Sequence, residues 1–160
     1  MPERILIVED DATIRITLGG FLERLGYGVA VVEDATGALE RCHADRYDLV
    51  LLDLRLPDGN GLDLLPQLRE LDDSALVSGM TAYPEVRTAG AALKAGAYDY
   101  INKPFDLDDL RQLIGRALET HRLRHEVRWR RAQSEVCQIE GMIGRSGAFR
   151  QLLEVTRKIA

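Results

Sequence analysis

Three separate apolar runs in this chain each stop at a charged side chain, and that repetition narrows the fold more than any other feature. Ile5, Leu6, Ile7 and Val8 lead into Glu9 and Asp10. Leu49, Val50, Leu51 and Leu52 lead into Asp53. Tyr98, Asp99, Tyr100, Ile101 and Asn102 lead into Lys103, which directly precedes Pro104. Runs of this length and β-branched content read as strands buried on both faces, the pattern of a parallel sheet. Open α/β sheets bind their ligands beyond the carboxyl ends of the strands. Three carboxylates and one ammonium therefore converge on one small cleft. That charge set suits a hard divalent cation together with a phosphoryl group.

The rest of residues 1–120 alternates strand-like and helix-like patterns. A first strand is expected over 4–8, then a helix over 12–25 with Ile14, Leu18, Phe21, Leu22 and Leu25 on one face, closed by Gly26. A strand over 28–32 precedes a helix over 35–44 that Asp34 can cap. After the 49–52 strand, the loop Pro57, Asp58, Gly59, Asn60, Gly61 leads into a helix over 62–71. A strand over 75–80, a helix over 85–95 closed by Gly96, a strand over 97–101 and a last helix from about 106 complete the pattern. Five strands alternating with five helices make an α/β fold, a five-stranded parallel sheet with right-handed crossovers and helices on both faces.

A length of 160 residues accommodates one domain of ordinary size with something appended. With 46% hydrophobic and 29% charged residues the chain is globular, and a net charge of -5 argues against a nucleic-acid binder over its whole length. Cys42 and Cys137 have no metal-site or disulfide-framework spacing and read as free thiols of a reducing compartment. The opening residues run at once into a strand, so no signal peptide is expected, and no apolar run approaches the roughly 20 residues that span a bilayer. A cytoplasmic protein with no membrane contact is expected.

The chemistry starts from Asp53. A carboxylate can act as a nucleophile and form an acyl phosphate. Mg²⁺ prefers oxygen ligands and commonly takes one or two carboxylates plus phosphate oxygens, and Glu9 and Asp10 supply such ligands. Lys103 would neutralise a phosphate oxygen as a point charge, and Thr81, at the end of the 75–80 strand, would donate its hydroxyl to another. Such an assembly stabilises the charge spread over a transferring phosphoryl group. A purely structural alternative exists, because acids after strands often cap the next helix and Asp10 or Asp11 fits that role before Ala12. It weakens because five positions fall at strand ends of one sheet, and because a bare acid cluster repels itself without a cation.

The motifs Ile5-Leu6-Ile7-Val8-Glu9-Asp10-Asp11, Asp53-Leu54-Arg55-Leu56-Pro57-Asp58-Gly59-Asn60-Gly61, Met80-Thr81-Ala82 and Lys103-Pro104-Phe105 resemble the receiver domain of bacterial two-component response regulators, over about residues 3–120. The resemblance implies a flavodoxin-like sheet of order 2-1-3-4-5, with Asp53 accepting a phosphoryl group from the phosphohistidine of a sensor histidine kinase. It implies Mg²⁺ bound directly by Asp10, with Glu9 helping through water, Asp53 itself, and the backbone carbonyl of Arg55. The acidic pair is aligned as Glu9 and Asp10 because Arg15 then keeps its usual distance, which makes Asp11 the variable next residue and a lesser site candidate. Thr81 and Tyr100 are the implied switch pair, with the hydroxyl moving towards the phosphate and the ring turning inward. Arg55 and Tyr83 fall at variable positions flanking the phosphate. The resemblance further implies a cis bond between Lys103 and Pro104. Ser78 and Gly79 depart from the family, which usually has bulky apolar residues in that strand.

Beyond about residue 120 the composition changes. Arg122, Arg124, Arg128, Arg130 and Arg131 crowd a stretch with little apolar content, and no Gly or Pro occurs from Arg116 to Glu140. The last helix is therefore expected to run on as a helical linker over 121–140, to be broken by Gly141. The arginines read as a solvated helix face rather than a DNA surface. Trp129, Ala132, Val136, Ile139 and Ile143 are spaced as in a heptad seam; either pairing with a second copy or packing back on the same chain satisfies it. Residues 141–160 restart as a loop and an amphipathic helix. Met142-Ile143-Gly144-Arg145-Ser146 and Phe149-Arg150-Gln151-Leu152-Leu153 resemble the opening of the ATPase module of NtrC-like, sigma-54-dependent activators. No G-x-x-x-x-G-K-[ST] phosphate loop occurs in these residues, so ATP hydrolysis is not expected of them.

The leading expectation is a phosphorylation-controlled switch rather than an enzyme: a receiver over 1–120, a linker over 121–140 and the start of an ATPase module over 141–160, acting on transcription. A homodimer through the last receiver helix and linker is expected, with DNA and sigma-54 polymerase reached only through domains outside this chain. The alternatives are a phosphate-independent dimerisation module and a Mg²⁺-dependent phosphatase of similar fold. The phosphatase is disfavoured because such enzymes carry Asp-x-Asp at the nucleophile and Asp53 is followed by Leu54 and Arg55.

Overall fold

The computed structural model describes residues 2–82 and 86–143, with side chains described at all of these except 86–89 and 135–143. Tyr83 and residues 144–160, and with them the resemblance to an ATPase module, lie outside the described residues. The elements in chain order are β1 (Arg4–Val8), α1 (Ala12–Arg24), β2 (Gly28–Val32), α2 (Ala35–Ala44), β3 (Leu49–Asp53), β4 (Arg55–Leu56), β5 (Gly59–Asn60), α3 (Gly61–Leu71), β6 (Leu76–Thr81), α4 (Val86–Ala95), β7 (Asp99–Asn102) and α5 (Leu107–Ile143).

Side chains alternate between the two faces of a strand, and here both faces are covered, so β1 and β3 can be apolar at almost every position. Leu6, Val8, Val50, Leu52 and Val77 pack on Ala38 of α2, Leu64, Leu65 and Leu68 of α3 and Ala92 of α4. Ile5, Ile7, Leu49, Leu51, Leu76 and Met80 pack on Leu18 and Leu22 of α1 and Leu110, Ile114 and Leu118 of α5. The sheet is parallel throughout, with spatial order β2-β1-β3-β6-β7. Setting aside the short antiparallel β4–β5 pair, that is the expected 2-1-3-4-5. The pair itself falls where the sequence reading placed only a loop.

Helix ends follow from particular residues. Asp11 caps α1 by accepting from the N–H groups of Thr13 (2.8 Å) and Ile14 (3.2 Å), Asp34 caps α2 through Gly37 N–H (2.7 Å), and Asn60 caps α3 through Leu62 N–H (3.0 Å). Gly26 and Gly96 take φ of +93° and +108°. Each lies in the paired-bond helix stop that favours glycine: Gly26 N–H donates to Glu23 O and Tyr27 N–H to Leu22 O, and Gly96 N–H to Leu93 O and Ala97 N–H to Ala92 O.

The chain divides into two compact units, Met1–His121 and a second beginning at Arg122. The base of the first is fastened at its end, with the Tyr98 and Thr120 hydroxyls 3.2 Å apart and His121 Nδ1 3.5 Å from Asp48 Oδ1. The helix runs through to Ile143, so Gly141 does not break it where the sequence reading placed a stop. A glycine inside a helix costs only about 1 kcal/mol relative to alanine, which is a penalty and not a terminator. In the second unit Arg130 pairs with Glu126 at 2.7 Å, while Leu123, Val127 and Trp129 are exposed. No helix among the described residues is long and apolar enough to cross a membrane.

Leu51 is fully buried at the centre of the α1/α5 layer. Leu51→Ala is expected to lower unfolding free energy by about 2–5 kcal/mol through lost burial and a residual cavity, read as a lower urea midpoint at unchanged slope.

Candidate functional site

Parallel strands place all their carboxyl ends on one edge, and the candidate residues meet there. Glu9 and Asp10 follow β1, Asp53 ends β3, Thr81 ends β6 and Lys103 follows β7. Glu9 N–H donates to Val32 O (3.1 Å) and Lys103 N–H to Thr81 O (2.6 Å), which extends the ladder one residue past the strands and sets both side chains at the crest. Pro104 follows through a cis peptide bond.

The Lys103 ammonium joins two carboxylates. It donates to Glu9 Oε2 and, at 3.1 Å, to Asp53 Oδ2. Glu9 is 1% and Asp53 6% exposed. The remaining oxygens are also engaged: Asp53 Oδ1 accepts from Arg55 N–H (3.0 Å) and Glu9 Oε1 from Asp11 N–H (3.2 Å). Burial pushes the Glu9 carboxyl up to about 7; the Lys103 hydrogen bond opposes this and the neighbouring Asp53 adds to it. Burial pulls the Lys103 ammonium down, but its hydrogen bond to Glu9 and the charges of Asp53 and Glu9 outweigh that, so it stands above an ordinary lysine. Burial therefore governs the Glu9 shift, whereas the two neighbouring acids govern that of Lys103.

Glu9, Asp10 and Asp53 each offer an oxygen, and these oxygens lie within 4.8 Å of one another. An all-oxygen, acid-rich donor set is what Mg²⁺ takes, and one cation with metal–oxygen distances of about 2.1 Å bridges oxygens up to about 4.2 Å apart, a little inside that limit. Asp11 stands outside this group because its carboxylate caps α1. Thr81 is buried at the strand end beside Asp53, whose register partner is the preceding Met80. Tyr100 is half-buried in β7, opposite Gly79.

Three supporting features were not evident beforehand. Arg15, one turn into α1, donates from Nη1 to the carbonyls of both Glu9 and Asp10 at 2.8 Å. Gly61 opens α3 so close to the end of β3 that a Cβ there would lie 2.5 Å from Asp53 O and 2.8 Å from Leu54 Cα. Gly79, the family departure, leaves room for the Leu54 side chain, whose methyl carbon would stand 3.3 Å from a Cβ at that position. Beside Lys103 lies a cavity of about 420 Å³, mostly apolar, lined by Ile14, Leu18, Pro104, Phe105 and Leu107 among others.

The chain is thus an open doubly wound α/β domain with an acid cluster and a lysine at the carboxyl edge of its sheet. The model of the response regulator receiver domain matches residues 5–115, and the chain belongs to that family. It is 40% identical over 154 residues to the nitrogen assimilation regulatory protein NtrX of Azorhizobium caulinodans, covering 95% of this chain and 33% of the relative. It is 35% identical to the regulatory protein AtoC of Escherichia coli, covering 98% and 34%. The chain thus spans about a third of the length of the curated relatives it matches. Among solved structures it resembles a CheY-like receiver domain protein from Methanospirillum hungatei (TM-score 0.75, 31% identity, 78% of this chain and 99% of that one). It also resembles NtrX of Brucella abortus in complex with ADP (TM-score 0.75, 35% identity, 79% and 29%).

Glu9 supplies a pH test. Its folded pKa of about 7 lies above the usual 4.5, so between those values the folded state holds a proton that the unfolded state has released. Without divalent cation, the contribution of Glu9 to stability is therefore fully present below about pH 4.5 and is lost as pH rises towards 7, by something on the order of 2 kcal/mol. Urea midpoints across this range are expected to show that decline, and Glu9→Gln is expected to flatten it.

Proposed function

We propose that this chain is a phosphorylation-dependent switch in which Asp53 accepts a phosphoryl group from the phosphohistidine of a sensor histidine kinase and the linker half of α5 relays the change to a transcription activator. The observation that carries this reading is the buried Asp53 carboxylate at the end of β3, with the Lys103 ammonium 3.1 Å from Oδ2 and the Glu9 and Asp10 oxygens within 4.8 Å. An Asp53 oxygen attacks phosphorus, the new P–O bond forms as the P–N bond to the donor imidazole breaks, and the electron pair leaves with the imidazole nitrogen. Mg²⁺, held by Asp10, Asp53 and the Arg55 carbonyl with Glu9 acting through water, would neutralise charge on the phosphoryl oxygens. Lys103 pairs with one of those oxygens. The Thr81 hydroxyl moves to another, and the Tyr100 ring turns into the space it leaves.

The chain speeds only its own phosphoryl transfer and loss, in the cytoplasm. Asp11 contributes as a helix cap beside the acid pair. Tyr83 and the Arg55 side chain tune phosphoryl lifetime at the pocket rim. Contact with DNA and sigma-54 polymerase belongs to regions outside these 160 residues. The apolar cavity beside Lys103 and the exposed Ile16 on α1 support a protein face for the kinase next to the acceptor.

With Mg²⁺ and acetyl phosphate, the chain is expected to gain one phosphoryl group by intact mass, and Asp53→Asn is expected to gain none. Equal labelling of the variant would refute the assignment.

A second reading, a phosphate-independent dimerisation module, is supported by the exposed Leu123, Val127 and Trp129 of α5 and by the heptad spacing from Trp129 to Ile143. It makes the full chain a dimer and a fragment ending near residue 120 a monomer in sedimentation, with or without acetyl phosphate; equal masses per chain would dismiss it.

A further inference from the structure

We infer that Arg15 is a positioning residue for the cation site, fixing the aim of the Asp10 carboxylate by pinning the two peptides on either side of it; this rests on the reading of Glu9, Asp10 and Asp53 as Mg²⁺ ligands. Glu9 O belongs to the peptide before Asp10 and Asp10 O to the peptide after it, and both accept from Arg15 Nη1 at 2.8 Å. Among the described residues nothing hydrogen-bonds to the Asp10 carboxylate itself, although it is an exposed member of the acid trio. With no bond of its own, that carboxylate takes its position from the backbone that carries it, and two bonds from Arg15 hold that backbone. The neighbouring acids have other restraints: Lys103 and Asp11 N–H hold Glu9, and Lys103 and Arg55 N–H hold Asp53.

Arg15 is itself well anchored. Its side chain is 14% exposed, its Nη2 lies 3.3 Å from Glu33 Oε1 across the end of β2, and its backbone is part of the first turn of a capped helix. A planar guanidinium presents its donors in a fixed fork. Lysine in the same place keeps the charge but offers one mobile ammonium at the end of a flexible stem.

The sign of the effect separates two roles. A guanidinium acting only as a charge repels a dication, so removing it would tighten Mg²⁺ binding. A guanidinium acting as a brace aims a ligand, so removing it weakens binding, as loss of groups that orient metal ligands commonly does by about 10- to 100-fold.

The test is calorimetric titration of Mg²⁺ into the unphosphorylated 160-residue chain and its variants. Arg15→Ala and Arg15→Lys are both expected to raise the Mg²⁺ dissociation constant about tenfold or more, while Glu33→Gln, which removes only a surface partner, changes it by no more than about twofold. At saturating Mg²⁺, acetyl phosphate is expected to label Asp53 in Arg15→Ala as fully as in the parent chain. Unchanged or tighter binding in Arg15→Ala, or parental affinity in Arg15→Lys, overturns the brace while leaving the site intact. Absence of Mg²⁺ binding by the parent chain removes the site reading and the brace together. Urea midpoints measured alongside identify any variant that fails to fold, and in that event Arg15→Lys alone decides.

Discussion

The Lys103 ammonium stands between two carboxylates that have almost no access to water, and the pocket depends on it. Glu9 and Asp53 lose their hydration when β1 and β3 are covered on both faces, and two bare carboxylates so placed repel each other. One ammonium reaching across from β7 makes the arrangement tolerable, and backbone N–H groups from Asp11 and Arg55 satisfy the oxygens it leaves. A buried ion pair of this kind is weak evidence for stability, because desolvation offsets most of its attraction. It leaves a deficit of positive charge at one point of the crest, in an acid cluster that could hold a metal ion.

The rest of the fold serves that point by register. Four of the five sheet strands end at one crest with a group that matters there: the acid pair after β1, Asp53 at the end of β3, Thr81 at the end of β6 and Lys103 after β7. β2 contributes Val32 O to anchor Glu9 and, one residue on, Glu33 to anchor Arg15. The loop after Asp53 is tied sideways: Asp58 accepts from Ala35 N–H, Thr36 N–H and the Thr36 hydroxyl at the start of α2. Those bonds hold its carboxyl below the ordinary aspartate range.

Much of this was legible in the sequence because burial on both faces writes a strand as an unbroken apolar run, and because charged residues recur at the ends of several such runs. Glycines with positive φ were equally plain at Gly26 and Gly96. What escaped notice depended on distances between segments that no local pattern encodes. Gly79 looked like a defect of its strand until Leu54 was found lying over it. Gly61 looked like a loop residue, yet its missing side chain is what lets α3 begin against the Asp53 peptide. Arg15 served to align the acidic pair, but its partners are carbonyls, which have no signature in sequence. Asp11 had two readings, and the helix cap is the one its hydrogen bonds support. Gly141 was over-read as a stop, since glycine ends a helix only where other groups take up the freed bonds.

Lys103 is fixed at both ends of its own length: its main-chain N–H to Thr81 O, its side chain to Glu9 and Asp53. The residue therefore ties the buried carboxylates to the tip of β6. The tip of β6, which carries the Thr81 hydroxyl, is thereby held one main-chain hydrogen bond from the residue that neutralises Glu9 and Asp53.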